Sequence, residues 1–217
     1  RNALALSDKI NNQLLTARSF HVLGTCYDYT GNLDSCLYNF NKAAAIYESL
    51  NNEERLSNVI SDKANAYYVS GNYELALRNH FTALELRKKA GNKSYVAKSL
   101  NNIGVLYRSK KDYASAINYY RQSLAIKEEL HDEQGILNTL INISSAYNGA
   151  DKFDSTYFYA HNAMQLAKKI HAEKDIYGSQ SNMAVALFGL HKPAQAEQIF
   201  YEVEQKALSH NDRDVLI

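Results

Sequence analysis

The sequence repeats itself every forty residues, and this period constrains the fold more than any other feature. Residues 101–130 read NNIGVLYRSKKDYASAINYYRQSLAIKEEL, and related segments occupy residues 63–90 and 142–170. Fixed periods of roughly 20–50 residues are typical of repeat proteins, in which each unit buries its apolar face against its neighbours. Large residues recur in one column of the repeat, and small residues recur nine places later. The two columns are Tyr27, Tyr67, Tyr107, Tyr147 and Leu187, and Cys36, Ala76, Ala116, Thr156 and Ala196.

Each unit is predicted to be a helix, a tight turn and a second helix. The turn contains Gly31-Asn32 in one unit, Gly71-Asn72 in the next and Lys111-Asp112 in the third. Glycine suits the left-handed residue that ends a helix, and Asn or Asp suits the N-cap of the following one. Only one proline and nine glycines occur in 217 residues, which disfavours a β-sandwich or barrel. The sequence therefore predicts an all-α protein.

These columns carry a resemblance to a known family. The first unit shows a large residue, Leu, Gly and Tyr, then a small residue, an aromatic and Ala, and the third unit repeats the pattern with small changes. The residues are Phe20, Leu23, Gly24, Tyr27, Cys36, Phe40 and Ala43, and Leu100, Ile103, Gly104, Tyr107, Ala116, Tyr120 and Ser123. The pattern resembles the tetratricopeptide repeat (TPR) family in its long-period form, as in kinesin light chains and bacterial signalling and regulatory proteins. The resemblance implies a right-handed TPR superhelix, an α-solenoid of helix-turn-helix repeats.

The sequence departs from the usual TPR pattern in its period and in its second helix. The period is forty residues and not 34, and the proline that commonly ends the second helix is missing, so we expect longer helices. Residues 1–217 are predicted to be a single solenoid, an excerpt of a longer protein. The predicted parts are the second helix of a truncated repeat at 1–15, and repeats at about 16–54, 55–94, 95–134, 135–174 and 175–213.

Candidate binding residues lie on the first helix of each repeat, which lines the concave side of TPR superhelices. At about 100° per residue, Leu100 and Ile103 fall on the packing side of their helix, whereas Lys98 and Asn102 fall on the opposite side. Translating that free side by forty residues gives a groove rich in amides. The candidate peptide-binding residues are Asn58, Asp62, Asn65, Lys98, Asn101, Asn102, Arg108, Asn138, Asn142 and Asn182.

An asparagine side chain offers both a donor and an acceptor, so it can hold a peptide backbone of any sequence. The column Asn102, Asn142 and Asn182 is the sharpest candidate, and Asp62 is its acidic variant. Lys98 and other cations of this side could hold a carboxylate. The alternative for the amides is a structural one, in which they bond the neighbouring helix or face water.

Several other functions find no support in the sequence. The net charge is +1 with no basic block, so no nucleic-acid partner is expected, and no apolar run predicts membrane contact. The seven histidines are scattered and no catalytic or phosphate-binding motif occurs, so no enzyme activity, cofactor or metal is predicted. Cys26 and Cys36 are predicted to be small apolar residues in helix interfaces.

The sequence thus predicts a non-catalytic scaffold that binds a protein or extended peptide. The resemblance favours the interaction or sensor region of a larger bacterial signalling or transcription-regulatory protein. Two alternatives stay open. One is a structural or self-association module, and the other is the regulatory domain of a peptide-controlled response-regulator phosphatase. The sequence does not decide between a cytoplasmic and a periplasmic location.

Overall fold

The computed structural model describes the backbone of residues 12–210 and the side chains of residues 12–205. This part of the chain is all-α, and it contains no strand. Nine of its helices have 17 residues and the last has 18, and links of three residues join them. The helices are α1 (Gln13–Tyr29), α2 (Leu33–Ser49), α3 (Glu53–Val69), α4 (Tyr73–Lys89), α5 (Lys93–Ser109), α6 (Tyr113–Glu129), α7 (Glu133–Gly149), α8 (Phe153–Lys169), α9 (Glu173–Gly189) and α10 (Pro193–His210).

The middle residue of every link has the left-handed conformation. At the first link, the N–H groups of Gly31 and Asn32 bond the carbonyls of Asp28 and Tyr27, both at 3.0 Å. This pair of hydrogen bonds closes the end of a helix and requires a positive φ at the middle residue of the link. The positive-φ residues recur every twenty positions, with φ between 51° and 80°: Gly31, Asn51, Gly71, Gly91, Lys111, His131, Asp151, His171 and His191.

Side-chain caps start many of the helices, as the sequence predicts. In the first and second links the side chains of Asn32 and Asn52 accept the N–H three residues on, at 3.0 and 3.1 Å. Asp112 and Asp132 do the same in later links, at 3.1 and 2.9 Å. Asn72 differs, because its amide donates to the Ser70 hydroxyl at 2.9 Å instead of capping α4. Lys152 and Ala172 stand at the N-caps of α8 and α9 and make no such bond.

The chain divides into two compact units, residues 1–106 and 107–217. In the first unit Cys36, Phe40, Ala43 and Tyr47 of α2 form the core with Ala17 of α1 and with residues of α3. A Cβ added at Gly24 would lie 2.4 Å from the ring of Phe40, so this position requires glycine for close approach.

The second unit is held by apolar contacts and by stacked rings. Leu137 and Leu140 of α7 pack on Ala163 and Ala167 of α8. The rings of Tyr107 and Tyr119 stack at 5.4 Å, and Tyr147 and Tyr159, forty residues on, stack at the same distance. Across both units the small column that begins with Cys36 is almost completely buried, which confirms its predicted packing role.

Two predictions require comment at the amino-terminal end. The predicted helix at 1–15 lies mostly outside the described residues, and α1 begins at Gln13. The prediction for Cys26 is wrong: its side chain is exposed, whereas Cys36 is buried. Cys26 lies two residues after Gly24, about 200° around α1, so it faces away from the α2 contact.

Candidate functional site

Six of the predicted binding residues lie on first helices of the first unit. Asn58, Asp62 and Asn65 belong to α3, and Lys98, Asn101 and Asn102 belong to α5. Lys98 is exposed and the other five are half-buried. Residues four apart stack one turn above another on a helix, so Asn58 with Asp62, and Lys98 with Asn102, each share one side of their helix. We call the side of α3 and α5 that carries these residues, together with the equivalent side of α1, the first-helix face of the first unit.

The carboxylate of Asp62 is engaged by a histidine of the preceding first helix. Nε2 of His21 lies 2.7 Å from Oδ2 of Asp62, and the side chain of Asp62 remains 43% exposed. Burial and the nearby charge of Asp62 raise the pKa of the Asp28 carboxyl. Two carboxylates therefore lie near each other on this part of the face, and His21 joins α1 to α3.

The side chain of Asn58 is held by an arginine from a second helix. Nη2 of Arg87 donates to Oδ1 of Asn58 at 2.9 Å, and Nη1 donates to the Ser99 hydroxyl at 2.6 Å. Arg87 is only 3% exposed, and burial lowers its pKa. Arg87 lies on α4, and its two hydrogen bonds link α3 to α5.

The remaining candidates of the first unit differ in their freedom to bind. Within the described residues, the side chains of Asn65, Lys98 and Asn102 have no hydrogen-bond or ion-pair partner, so they are available to a ligand. Asn101 makes an interaction within the protein. The structure thus brings Lys98 and Asn102 together as one pair of unengaged polar groups on α5.

In the second unit the candidates lie on the end of α5 and on the first helices α7 and α9. Arg108 is half-buried near the end of α5. Asn138 is exposed and accepts a bond from Gln134 at 3.2 Å. Asn142 makes an interaction within the protein, whereas Asn182 is half-buried and its side chain bonds no described residue. The Asn column therefore contains both engaged and unengaged members.

Three charged or titratable residues in the interior were not predicted. Arg87 and Lys127 occupy a column that holds Tyr47 in the first repeat, and His80 occupies the column of Phe40 and Tyr120. Burial lowers the pKa of Lys127, whose ammonium donates to the Thr139 hydroxyl at 2.7 Å. The signal in the sequence is a charged residue in a column that is otherwise apolar.

His80 is the most strongly perturbed of these groups. It is 1% exposed, and its Nδ1 has no hydrogen-bond partner among the described residues. Burial and the charge of Arg87 lower its pKa to about 4, against an opposing effect of Asp62. No group of three or more His, Cys, Asp or Glu side chains in the described part of the chain could hold a metal ion. No helix there is both long and apolar enough to cross a membrane.

Comparison with known families agrees with the helix pairs and their columns. The family model described as tetratricopeptide repeat matches residues 55–129, which run from α3 through α6. Residues 55–129 therefore carry tetratricopeptide repeats. A search of curated proteins found no match to the sequence. The TPR α-solenoid that the family resemblance implies is thus the fold class of this protein.

Solved structures with the same fold come from several kinds of protein. The crystal structure of BtubC (BKLC) from P. vanneervenii has a TM-score of 0.86 and 17% identity, covering 97% of this chain and 87% of that one. A signal transduction ATPase with numerous domains and a tetratricopeptide repeat sensor, from Pyrococcus horikoshii, has a TM-score of 0.84 and 18% identity. This match covers 92% of the present chain and 31% of the ATPase.

A third structure shows the fold with a peptide. The Rap conjugation gene regulator of the plasmid pLS20, in complex with the Phr* peptide, has a TM-score of 0.68 and 14% identity, covering 96% of this chain and 58% of the regulator. At these identities the likeness establishes the fold alone. Because TPR arrays are interaction scaffolds, the fold of this chain is that of a protein- or peptide-interaction scaffold.

Proposed function

We propose that the exposed sides of the first helices bind an extended peptide or protein segment at equilibrium, with no chemical step. The observation that carries this proposal is that each unit presents an unengaged amide on a first helix, Asn102 in the first unit and Asn182 in the second. Both occupy the same position of their repeats, both are half-buried, and neither side chain bonds a described residue. A half-buried amide with free donors and acceptors gains most from a partner that bonds both, as a peptide backbone does.

The role we propose for this binding is sensing or regulation within a larger bacterial signalling or transcription-regulatory protein. Support comes from the neighbours, since one is a signal transduction ATPase with a TPR sensor and another is a gene regulator in complex with a peptide. A peptide-controlled response-regulator phosphatase is the alternative form of the larger protein. In that case a peptide bound by the repeats would change the rate at which the full-length protein dephosphorylates its response regulator.

A pair of matched variants tests the binding face. The double substitution Asn102→Ala and Asn182→Ala removes the two unengaged amides. The control, Asn118→Ala and Asn162→Ala, removes two amides from the second helices α6 and α8. Binding to a pool of fluorescent, end-blocked nonapeptides of random sequence is measured by anisotropy. We expect the first variant to bind at least about tenfold more weakly than the control, because each lost bond contributes about 1 kcal/mol. Equal binding by the two variants refutes the proposed face.

Self-association is the rival function, and exposed aromatic rings on second helices support it. Tyr38 of α2 and Phe158 of α8 occupy the same repeat position and are 59% and 58% exposed. Sedimentation of the chain over a wide concentration range decides between the two functions. A mass that rises with concentration in the unmodified chain and stays monomeric in a Tyr38→Ser, Phe158→Ser variant establishes the rival.

A further inference from the structure

A cleft lies between the two helices of the first repeat, apart from the first-helix face. Its volume is about 550 Å³, which is in the range of pockets that hold small ligands. The residues that decide its chemistry are Phe20, Leu23 and Tyr27 of α1, and Asp34, Tyr38 and Asn39 of α2. The three α1 residues belong to the packing side of that helix, so the cleft is a separate surface from the candidate peptide-binding face.

Two polar groups that line the cleft are unmatched acceptors. The Asp34 carboxylate is exposed and has no hydrogen-bond or ion-pair partner among the described residues. Asn39 is only 7% exposed, and its Nδ2 donates to the carbonyl of Ser35 at 2.6 Å. Oδ1 of Asn39 accepts no hydrogen bond from a described residue. These acceptors, one of them charged, match a ligand that donates hydrogen bonds and carries a positive charge.

The aromatic rings of the cleft favour the same kind of ligand. The face of a Tyr or Phe ring attracts a cation that lies within about 6 Å of the ring centre. Phe20, Tyr27 and Tyr38 each contribute a ring to the lining. Tyr38 already shows this property, since Nζ of Lys42 lies 5.7 Å from the centre of its ring. Lys42 does not line the cleft, and no lysine or arginine of the described chain does so.

The next repeat fills the equivalent place with a cation of its own. Lys63 stands forty residues after Leu23, and Tyr67 stands forty residues after Tyr27. The ammonium of Lys63 lies 5.9 Å from the centre of the Tyr67 ring and donates to Oδ1 of Asn41 at 2.7 Å. The first repeat has Leu23 in place of this lysine, but it keeps the tyrosine ring and an unmatched amide oxygen.

A second cation of that repeat is also missing from the first. Arg78 occupies the position of Tyr38, whereas Asp34 and Glu74 occupy one and the same position. Both repeats thus carry a carboxylate in the first turn of their second helix, but only the second repeat carries cations at the neighbouring positions. The carboxylate of the first repeat is therefore left for a cation from outside the described chain.

We propose that this cleft binds a primary organic ammonium group. The Asp34 carboxylate and Oδ1 of Asn39 accept its hydrogen bonds. The rings of Tyr27 and Tyr38 contact the carbons next to the nitrogen, and Leu23 contacts the rest of the alkyl chain. A free alkylamine and the lysine side chain of a partner protein both carry this group. The site does not depend on peptide binding by the first-helix face, so either can fail without the other.

The test compares the n-butylammonium ion with n-butanol, a neutral molecule of the same length. Each is titrated at pH 7 into the full chain with ¹³C-labelled tyrosine rings, and the ring resonances of Tyr27 and Tyr38 are followed by NMR. Tyr27→Phe and Tyr38→Phe variants assign these resonances. We expect n-butylammonium to shift both and to bind at least about tenfold more tightly than n-butanol, because the carboxylate and the rings attract its charge. Equal affinities, or no shift of these two rings, overturn the proposal.

Matched variants identify the groups that bind the cation. Asp34→Asn keeps the shape of the side chain and removes its charge, so it should weaken n-butylammonium binding about tenfold. Glu74→Gln removes the carboxylate at the equivalent position of the next repeat and should leave the affinity unchanged. An Asp34→Asn variant that binds as tightly as the unmodified chain overturns the proposal.

Leu23→Lys fills the cleft from within. The variant copies Lys63 of the next repeat and places a tethered ammonium where the ligand is proposed to lie. It should abolish n-butylammonium binding while the melting temperature is retained, and Leu23→Met, a neutral control of similar size, should bind as the unmodified chain does. Undiminished binding by a folded Leu23→Lys variant overturns the proposal.

A last titration distinguishes the two sources of the ammonium group. Nα-acetyl-lysine methylamide presents a lysine side chain between two peptide groups. If it binds at least as tightly as n-butylammonium, the cleft accepts a lysine side chain of a partner protein. If it binds about tenfold more weakly, the cleft is a site for a free amine. Binding of neither ammonium compound overturns the proposal and leaves the proposed peptide-binding function untouched.

Discussion

Buried His80 should make the stability of the first unit depend on pH. Its side chain is 1% exposed, and burial and Arg87 lower its pKa to about 4. A histidine in an unfolded chain has a pKa near 6.5, so between these values the unfolded state binds a proton that the folded state does not. The contribution is therefore fully present above about pH 6.5 and is lost as the pH falls toward 4.

The magnitude follows from the size of the pKa shift. At pH 5 the unfolded side chain is almost fully protonated and the folded one is almost fully neutral. At 1.36 kcal/mol per unit, lowering the pH from 7 to 5 should reduce the free energy of unfolding by about 2 kcal/mol through His80 alone. The variant His80→Phe, which copies Phe40 of the first repeat, should lack this loss.

The assay is urea unfolding followed by far-ultraviolet circular dichroism at pH 7 and at pH 5. The difference between the two pH values is compared for the unmodified chain and for His80→Phe, so that all other titrating groups cancel. His131→Asn, which changes an exposed histidine in a turn, is the control and should retain the full pH dependence. If the unmodified chain and His80→Phe lose the same stability on acidification, the reasoning is wrong.

Three further predictions concern turns, caps and thiols. His171 has a φ of 58°, which is less favourable for a residue with a Cβ than for glycine, so His171→Gly should stabilise the chain by about 1 kcal/mol in thermal unfolding, and a loss of stability would contradict this. Lys152 stands at an N-cap without a side-chain bond, so Lys152→Asn should add about 1 kcal/mol, measured in the same way. Burial and the charges of Asp28 and Asp62 raise the pKa of Cys36 to about 11. An aromatic disulfide reagent at pH 8 should therefore modify exposed Cys26 rapidly and Cys36 slowly, and rapid reaction in a Cys26→Ser variant would refute this.

The helices and their packing columns were predictable because they depend on spacing. Ala43, Ala83 and Ala163 are spaced by multiples of forty residues, and all are completely buried. A small residue is needed wherever two helices approach closely, so the pattern carries its own structural meaning. Left-handed residues were less obvious, since Lys111 and His131 occupy the same conformation as Gly31. The paired backbone bonds of the link fix that conformation, whatever residue stands there.

The hydrogen-bond partners of the polar side chains were not predictable from the repeat spacing. Asn32 and Asn72 look equivalent in the sequence, yet Asn72 bonds the Ser70 hydroxyl and leaves its helix uncapped. Likewise, Asn58 and Asn102 are both amides of first helices, but only Asn58 is held by Arg87. Repeat spacing assigns a residue to a face of its helix, whereas its hydrogen bonds depend on which side chains lie next to it in space, two residues away for Asn72 and 29 residues away for Asn58.

This distinction has a consequence for how a repeat array can acquire specificity. The links repeat every twenty residues with the same backbone bonds, so residues forty apart occupy equivalent places on their helices. The residue beneath a surface position can change from one repeat to the next, as Tyr47 gives way to Arg87. In that place Arg87 orients the Asn58 amide of the preceding helix, because a guanidinium donates hydrogen bonds and accepts none. A substitution on a second helix can thus change which polar groups a first helix presents, with no change in the sequence of the first helix.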